Sequence, residues 1–293
     1  MLKIGIVDMS PGNGHMFSFS ALVNGLNRNN IDICPFPIIK DYILKYETPV
    51  NELKSKFWVE GIWMPNLDYA HSVSNFSNIP KVFSSPELLM QDVDAIIVTN
   101  DNPDSNRQDL ICRLIPFGKP IFIDKIPARN FLAFKHLINQ QKYPGQLYSS
   151  SAMRFHPEYL NLNPVDYAQI IQITVPNTWN LYAVHAVELM YSFLGQNREI
   201  ELGEIRTNLD GATQRVIKIP DQQMTFEINA SNKKETPFNV RIKRADDSVE
   251  CITMRDPFFA FVNLLTDWHN SIELNQQNWI WHDTIFDVLG EFG

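Results

Sequence analysis

Apolar and polar positions along the chain fall into two successive regimes. In the first, short continuous apolar runs alternate with stretches of helical period. LKIGIV at 2–7 has the pattern of a buried strand, and DMSPGNG at 8–14 follows with the Pro and Gly of a tight loop. In HMFSFSALVNGLN, Met16, Phe19, Val23 and Leu26 recur at i, i+3, i+7 and i+10, the stripe of a helix that packs on a sheet. Residues 30–56 are less regular, carry Pro35, Pro37 and Pro49 among mixed charges, and are expected to form an insertion with one short helix. FWVEGIWM at 57–64 resumes as a strand, DYAHSVSNF and SSPELLMQD read as helices, and VDAIIVTN at 93–100 is the clearest buried strand. Its loop, DNPDSN, leads to a helix through RQDLICRLIPFG and then to the strand PIFIDK. Such alternation predicts a parallel sheet wound by right-handed crossovers. Ligands of such sheets bind beyond the carboxyl ends of the strands.

After SSSAMRFHPEYL at 149–160 the pattern changes. YAQIIQITV, TQRVIKI, MTFEINA, FNVRIKRA and VECITM alternate strictly, as strands of an antiparallel sheet with one wetter face do. Helical stretches lie at about 180–194, 257–271 and 282–292. The expectation is therefore an α/β domain over 1–150 followed by a separate α+β domain over 151–293.

Composition narrows the function. The 293 residues are 44% apolar, enough for two ordinary domains, and carry a net charge of -8. That charge argues against nucleic-acid and anionic-membrane partners. The one basic cluster, NKKETPFNVRIKR at 232–244, alternates like a solvated strand. Cys34, Cys112 and Cys251 lie far apart with no paired spacing, so neither a zinc site nor a disulfide framework is suggested, and a reducing, cytoplasmic setting fits. With no apolar leader at the N-terminus and no run of about 18 apolar residues, the chain is expected to be soluble, neither exported nor membrane-spanning.

Candidate chemistry gathers at the predicted strand ends. A Gly-rich turn entering a helix offers N–H groups and a positive dipole end to a pyrophosphate. Gly12, Asn13, Gly14 and His15 stand there, though Phe17 replaces the third small residue of G-x-G-x-x-G, and Pro11 and Gly12 would serve equally in a plain turn. The second strand ends at Trp63 and Met64 with neither the acid that grips a ribose hydroxyl nor an arginine for a 2′-phosphate, so NAD and NADP stay open. Thr99, Asn100 and Asn102 follow the strand at 93–100, and Asp124 and Lys125 end the next one. Lys125 is either a solvated charge closing a strand or a group delivered to a site. His185 lies on a helix beside Leu181 and Leu189, off the stripe of Val184, Val187, Tyr191 and Leu194; a cleft wall and a second buried face both accommodate it. His15 either faces phosphate or caps its turn. Trp179 and Tyr182 suit a sugar site or the core. His71, His136, His156, His269 and His282 have no metal-ligand spacing, and no metal site is expected.

The run VDAIIVTNDNPDSNRQDLICRLIPFGKPIFIDKIPA resembles the segment of the Gfo/Idh/MocA family in which a strand, a helix and a Gly-Lys-Pro turn lead to a Glu-Lys-Pro motif. SAMRFHPEY resembles that family's Arg-aromatic-x-Pro entry into its second domain, and HAVELMYSFLG its His-containing helix. The resemblance covers nearly the whole chain apart from 30–56. It implies a Rossmann domain followed by an open, mostly antiparallel sheet domain. It also implies reversible hydride transfer between NAD or NADP and a hydroxyl carbon of a sugar, sugar derivative or cyclitol, and a homodimer or homotetramer formed through the second sheet. By the same resemblance Lys125 would hold the reacting hydroxyl and the nicotinamide ribose, His185 would accept the hydroxyl proton, and Arg154 would hold substrate. Four departures stand out. Leu181 occupies the place of an Asp one turn before the histidine, Ile126 that of the motif proline, Asn106 that of a loop histidine, and Asp124 that of the Glu. Leu181 and Ile126, together with Phe17 and the missing acid near Met64, favour the alternative of a non-catalytic relative that keeps the fold for nucleotide or sugar binding, or for assembly.

Overall fold

The computed structural model describes residues 1–8, 13–100, 102–162, 164, 167–195, 198–276 and 283–290. Two compact units are present, Met1–Ser150 with Phe261–Trp279, and Ser151–Ala260 with Ile280–Gly293.

The first unit is built on six parallel strands, β1 (Leu2–Val7), β2 (Phe57–Trp63), β3 (Lys81–Val82), β4 (Ala95–Val98), β5 (Ile121–Ile123) and β6 (Leu147–Tyr148). Their order is β3-β2-β1-β4-β5-β6, the doubly wound arrangement, whose order reverses between β1 and β4. The helices between them are α1 (His15–Asn24), α2 (Pro37–Lys45), α3 (Asn51–Lys56), α4 (Leu67–Phe76), α5 (Pro86–Asp92), α6 (Ser105–Leu114) and α7 (Phe131–Gln140). Local chemistry starts them: the side chains of Asn66, Ser85, Asp104 and Asn130 each accept the N–H three residues on, capping α4, α5, α6 and α7. Ile4, Ile6, Val7, Ile96, Ile97, Val98 and Phe122 are fully buried, as the apolar runs require of strands covered on both faces.

The insertion holds two α-helices where one was expected. Pro37, which reads as an interruption in the sequence, occupies the first turn of α2, where its missing N–H costs nothing. The Tyr42 hydroxyl of that helix donates to Ser18 Oγ at 2.6 Å, fastening the insertion to α1.

The second unit opens with the short helix α8 (Pro157–Leu160) and carries a seven-stranded sheet, with β7 (Ala168–Val175), β8 (Glu201–Leu202), β9 (Arg206–Thr207), β10 (Thr213–Ile219), β11 (Met224–Ala230), β12 (Asn239–Arg244) and β13 (Val249–Thr253). The order is β13-β12-β7-β11-β10-β8, with β9 also on β10. All pairs are antiparallel except β7 with β11. That parallel pair needs a crossover, and helix α9 (Trp179–Leu194), which packs on both strands, lies between them in the chain. Met224, Phe226, Ile228 and Ala230 point to the core, while Thr225, Glu227 and Asn229 alternate onto a polar face.

Helix α10 (Phe258–Glu273) starts in the second unit and returns the chain to the first from Phe261 onward. There Trp268 is fully buried, stacked on Phe57 with ring centroids 5.2 Å apart and tilted against Phe122 at 5.6 Å. A last helix, α11 (Asp283–Leu289), packs on α9 in the second unit. Among the described residues no helix is long and apolar enough to cross a membrane.

Replacing Trp268 by Ala removes the largest fully buried side chain among the described residues of the first unit. It is expected to lower stability by roughly 3–5 kcal/mol, read as a lower urea midpoint of unfolding. A midpoint unchanged from wild type would show that α10 does not complete this core.

Candidate functional site

The site builds from the carboxyl ends of β1, β4 and β5. Asp8 follows β1, is fully buried, and accepts the Thr99 hydroxyl at 2.6 Å, so the ends of the two strands at the switch point are tied by side chains. Asp124 follows β5 and is equally buried. Its Oδ2 accepts the Asn13 amide at 2.8 Å and lies 2.6 Å from His15 Nδ1, and its Oδ1 accepts the Lys125 backbone N–H at 2.9 Å. Asn13 also donates to the Thr99 carbonyl and accepts the His15 backbone N–H at 2.9 Å, which joins the start of α1 to the ends of β4 and β5. The His15 ring is held between Phe19 and Phe261, each with its centroid 5.2 Å away.

Arg107 of α6 lies beneath this cluster and is 1% exposed. Its guanidinium donates to the carbonyls of Asn100 at 2.8 Å, Asp124 at 3.4 Å and Ile126. The Lys125–Ile126 peptide is cis. Lys125 stands at the end of β5 with only 8% of its surface exposed, which is not the solvated charge of an ordinary strand end.

Charge in the cluster is compensated. Burial pushes the Asp124 carboxyl up, but the charge and hydrogen bond of the His15 ring, together with Lys125 and the Asn13 amide, outweigh it and bring its pKa down to about 2. Nearby, burial and then the charges of Asp8 and Cys34 push Tyr69 up to about 12. Its buried hydroxyl has no hydrogen-bond partner among the described residues.

The turn before α1 is where the sequence places a candidate phosphate loop. Gly12 lies outside the described residues. Gly14 is the N-cap of α1 and supplies no side-chain bond, and the first turn carries no acid. A Cβ on Gly14 would run into Phe36 and Ile39, so the insertion packs against this turn. Phe17 is buried, edge-on to Phe76 at 5.0 Å and to Tyr69 at 6.1 Å. At the end of β2, Trp63 is half-buried and Met64 buried. Asn100 is buried, and its side chain accepts the N–H of the exposed Asn102 at 2.7 Å.

The second unit has its own cluster. His185 of α9 is buried, with Nδ1 2.6 Å from Ser151 Oγ and the Tyr182 ring 5.1 Å away. Glu188, one turn on, is fully buried; its Oε2 accepts the Ser151 N–H at 2.7 Å and lies 3.4 Å from Arg154 Nε. Arg154 also covers the Phe155 ring. Trp179 donates its indole N–H to the Leu289 carbonyl at 2.8 Å and belongs to the packing of α9 on α11. Leu181 is 48% exposed.

No protein-family model and no curated protein sequence matches the chain. Solved structures match over nearly its full length. Scyllo-inositol dehydrogenase from Lactobacillus casei superposes with a TM-score of 0.69 at 13% identity, covering 99% of this chain and 93% of that one. UDP-N-acetylglucosamine 3-dehydrogenase GnnA from Acidithiobacillus ferrooxidans gives 0.64 at 12% identity, covering 98% and 94%. GenD2 from gentamicin A biosynthesis, in complex with NAD, gives 0.66 at 8% identity, covering 99% and 93%. The chain has the fold of the Gfo/Idh/MocA dehydrogenases.

Within that Gfo/Idh/MocA fold, four side chains that sequence reasoning missed carry much of the two clusters: Asp8, Arg107, Ser151 and Glu188. Asp8 closes a buried strand and could have been read as a strand-end acid. Ser151 and Glu188 carry no local signal, since their bonds span 37 residues of sequence.

Because Asp124 titrates lower in the folded chain than the ordinary carboxylate, it contributes stability that is full above about pH 4 and is lost as pH falls through about 2. Asp124→Asn is expected to cost about 2 kcal/mol at pH 5–6, with the difference from wild type shrinking as unfolding is repeated toward pH 2. A difference that did not change with pH would show that the loss comes from packing alone.

Proposed function

We propose that the chain is an NAD(P)-dependent oxidoreductase that moves a hydride between a nicotinamide and a hydroxyl carbon of a sugar, sugar derivative or cyclitol. The observation that carries this reading is Lys125, held against solvent at the carboxyl end of β5 beside a buried, ionised Asp124. The substrate class is supported by the names of the superposed enzymes, a scyllo-inositol and a UDP-N-acetylglucosamine dehydrogenase, and the cofactor class by the NAD bound to GenD2.

The residues present fit a nicotinamide dinucleotide. The first turn of α1 carries no acid, which suits an anion at its dipole end, and His15, Asn13, Thr99, Asn100 and Asn102 stand around the strand ends. Trp63 and Met64 supply apolar surface for an adenine. When bound, the nicotinamide supplies the hydride acceptor, taking the hydride and its electron pair from the substrate carbon. The Lys125 ammonium holds the reacting hydroxyl and stabilises alkoxide character on its oxygen. His185 takes the hydroxyl proton, leaving a carbonyl, and returns it in the reverse direction. Tyr182, whose ring lies 5.1 Å from that of His185, and Arg154 are assigned to substrate. Trp179 supports α9 from the core side.

A second reading, a catalytically degenerate protein that binds nucleotide or sugar, draws on the crowding of Gly14 by Phe36 and Ile39. We also assign the polar face of the second sheet, where Arg241 Nη1 donates to Gln172 Oε1 at 3.1 Å, to a homodimer or homotetramer. The unbridged thiols of Cys34, Cys112 and Cys251 suit a reducing, cytoplasmic setting.

Titration with NADH and with NADPH, followed by energy transfer from tryptophan, separates the two main readings and reveals which 2′ group is accepted. Saturable binding of either, with turnover on a sugar or cyclitol that falls by roughly 10²–10³ in Lys125→Ala, is the expected result. Binding without turnover on any sugar would favour the degenerate protein, and no binding by folded protein would overturn the oxidoreductase.

A further inference from the structure

A histidine that moves a proton through one ring nitrogen must have the other nitrogen fixed, because the partner of that second nitrogen sets the tautomer. On α9 itself nothing one turn before His185 can do this: Leu181 has no polar side-chain atom. The partner comes instead from the segment that opens the second unit. Ser151 Oγ lies 2.6 Å from His185 Nδ1, and Ser151 is itself pinned on two sides, its N–H donating to Glu188 Oε2 at 2.7 Å and its Oγ accepting the Met153 N–H at 3.2 Å. Ser151 and Glu188 are both fully buried, so neither is needed for solubility, and a buried carboxylate is costly to keep unless it is well partnered. Arg154 Nε, 3.4 Å from the same Oε2, supplies the opposite charge.

We propose that Ser151 is the positioning residue for His185, and that Glu188 is the anchor that holds Ser151 in place. The inference rests on the oxidoreductase reading for its catalytic consequence, but the ring geometry stands apart from it. For Nε2 to accept a proton, the neutral ring must carry its hydrogen on Nδ1, and Ser151 Oγ is the acceptor that favours that tautomer. Once Nε2 has taken the substrate proton, Nδ1–H continues to donate to the same oxygen. Neither step moves a bond at Ser151, which is why it is a positioning residue and Lys125 and His185 are the groups that touch substrate.

The test reads the ring directly. Long-range 15N–1H spectra of the histidine side chains, with His185 assigned by its loss in His185→Gln, are expected to show Nδ1 protonated in the neutral wild-type ring. In Ser151→Ala the population should move toward the Nε2-protonated tautomer, and Ser151→Thr, which keeps the hydroxyl, should restore it. In turnover on a sugar substrate, Ser151→Ala is expected to lower kcat roughly tenfold to a hundredfold with KM within about twofold. An unchanged tautomer in Ser151→Ala overturns the proposal whatever the activity, and so does a kcat equal to wild type. A shifted tautomer in a protein that binds no nicotinamide and oxidises no sugar supports the positioning role of Ser151 and removes the hydride-transfer reading instead.

Discussion

Where parallel strands end, their last carbonyls face a region that no further ladder partner can reach, and the chain must satisfy them without closing the space that a ligand needs. Arg107 meets this constraint in the first unit. Its side chain is too polar to be buried alone, and three carbonyls at the ends of β4 and β5 are too costly to bury unpaired; each solves the other's problem. Because the guanidinium is planar and rigid, it fixes the relative positions of Asn100, Asp124 and Ile126 as well as satisfying them. Asp124 then faces Asn13 and His15 in a defined geometry, and Lys125 follows as the next residue. The placement of the lysine is thus a consequence of how backbone carbonyls are satisfied two layers below it.

The two units treat a buried acid in parallel ways. Asp124 is surrounded by an amide, an imidazole and a backbone N–H, and Glu188 by a guanidinium and a backbone N–H, with an imidazole reached through a serine. At Asp124 the carboxylate keeps its charge because hydrogen-bond donors replace water, and in both clusters an imidazole nitrogen lies within hydrogen-bond distance of the network. Such networks are rigid when complete, since removing any member leaves another polar group buried without a partner.

Legibility in the sequence followed the length scale of each interaction. The apolar runs of β1, β2 and β4 and the alternation of β7, β10 and β11 are local, and the two-domain architecture could be read from them together with the order of loosely matching motifs. Strands of two residues, β3 and β6, contain no period to detect. Helix α7 did have a local signal, the Asn130 cap ahead of Phe134 and Leu137, that the sequence reading passed over. The direction of β7 against β11 was not legible, because alternation is the same in parallel and antiparallel pairs. At the site, residue types at strand ends pointed to Lys125, Asp124 and Asn13, but their partners could not be inferred: His15 and Asp124 are 109 residues apart, and Ser151 and His185 are 34.

The course of α10 bears on how such a protein can be divided. The chain enters the second unit after Ser150, comes back to the first from Phe261, and leaves it again near residue 280, so three covalent crossings join the two units. Neither is a contiguous gene segment. A fragment ending at Ser150 would include every strand of the parallel sheet yet lack Trp268, and Phe57 and Phe122 would face solvent. Exchange of either unit with a homologous one by a single recombination event would break the core of both, and so the pair is inherited as one module, its two units obliged to diverge together.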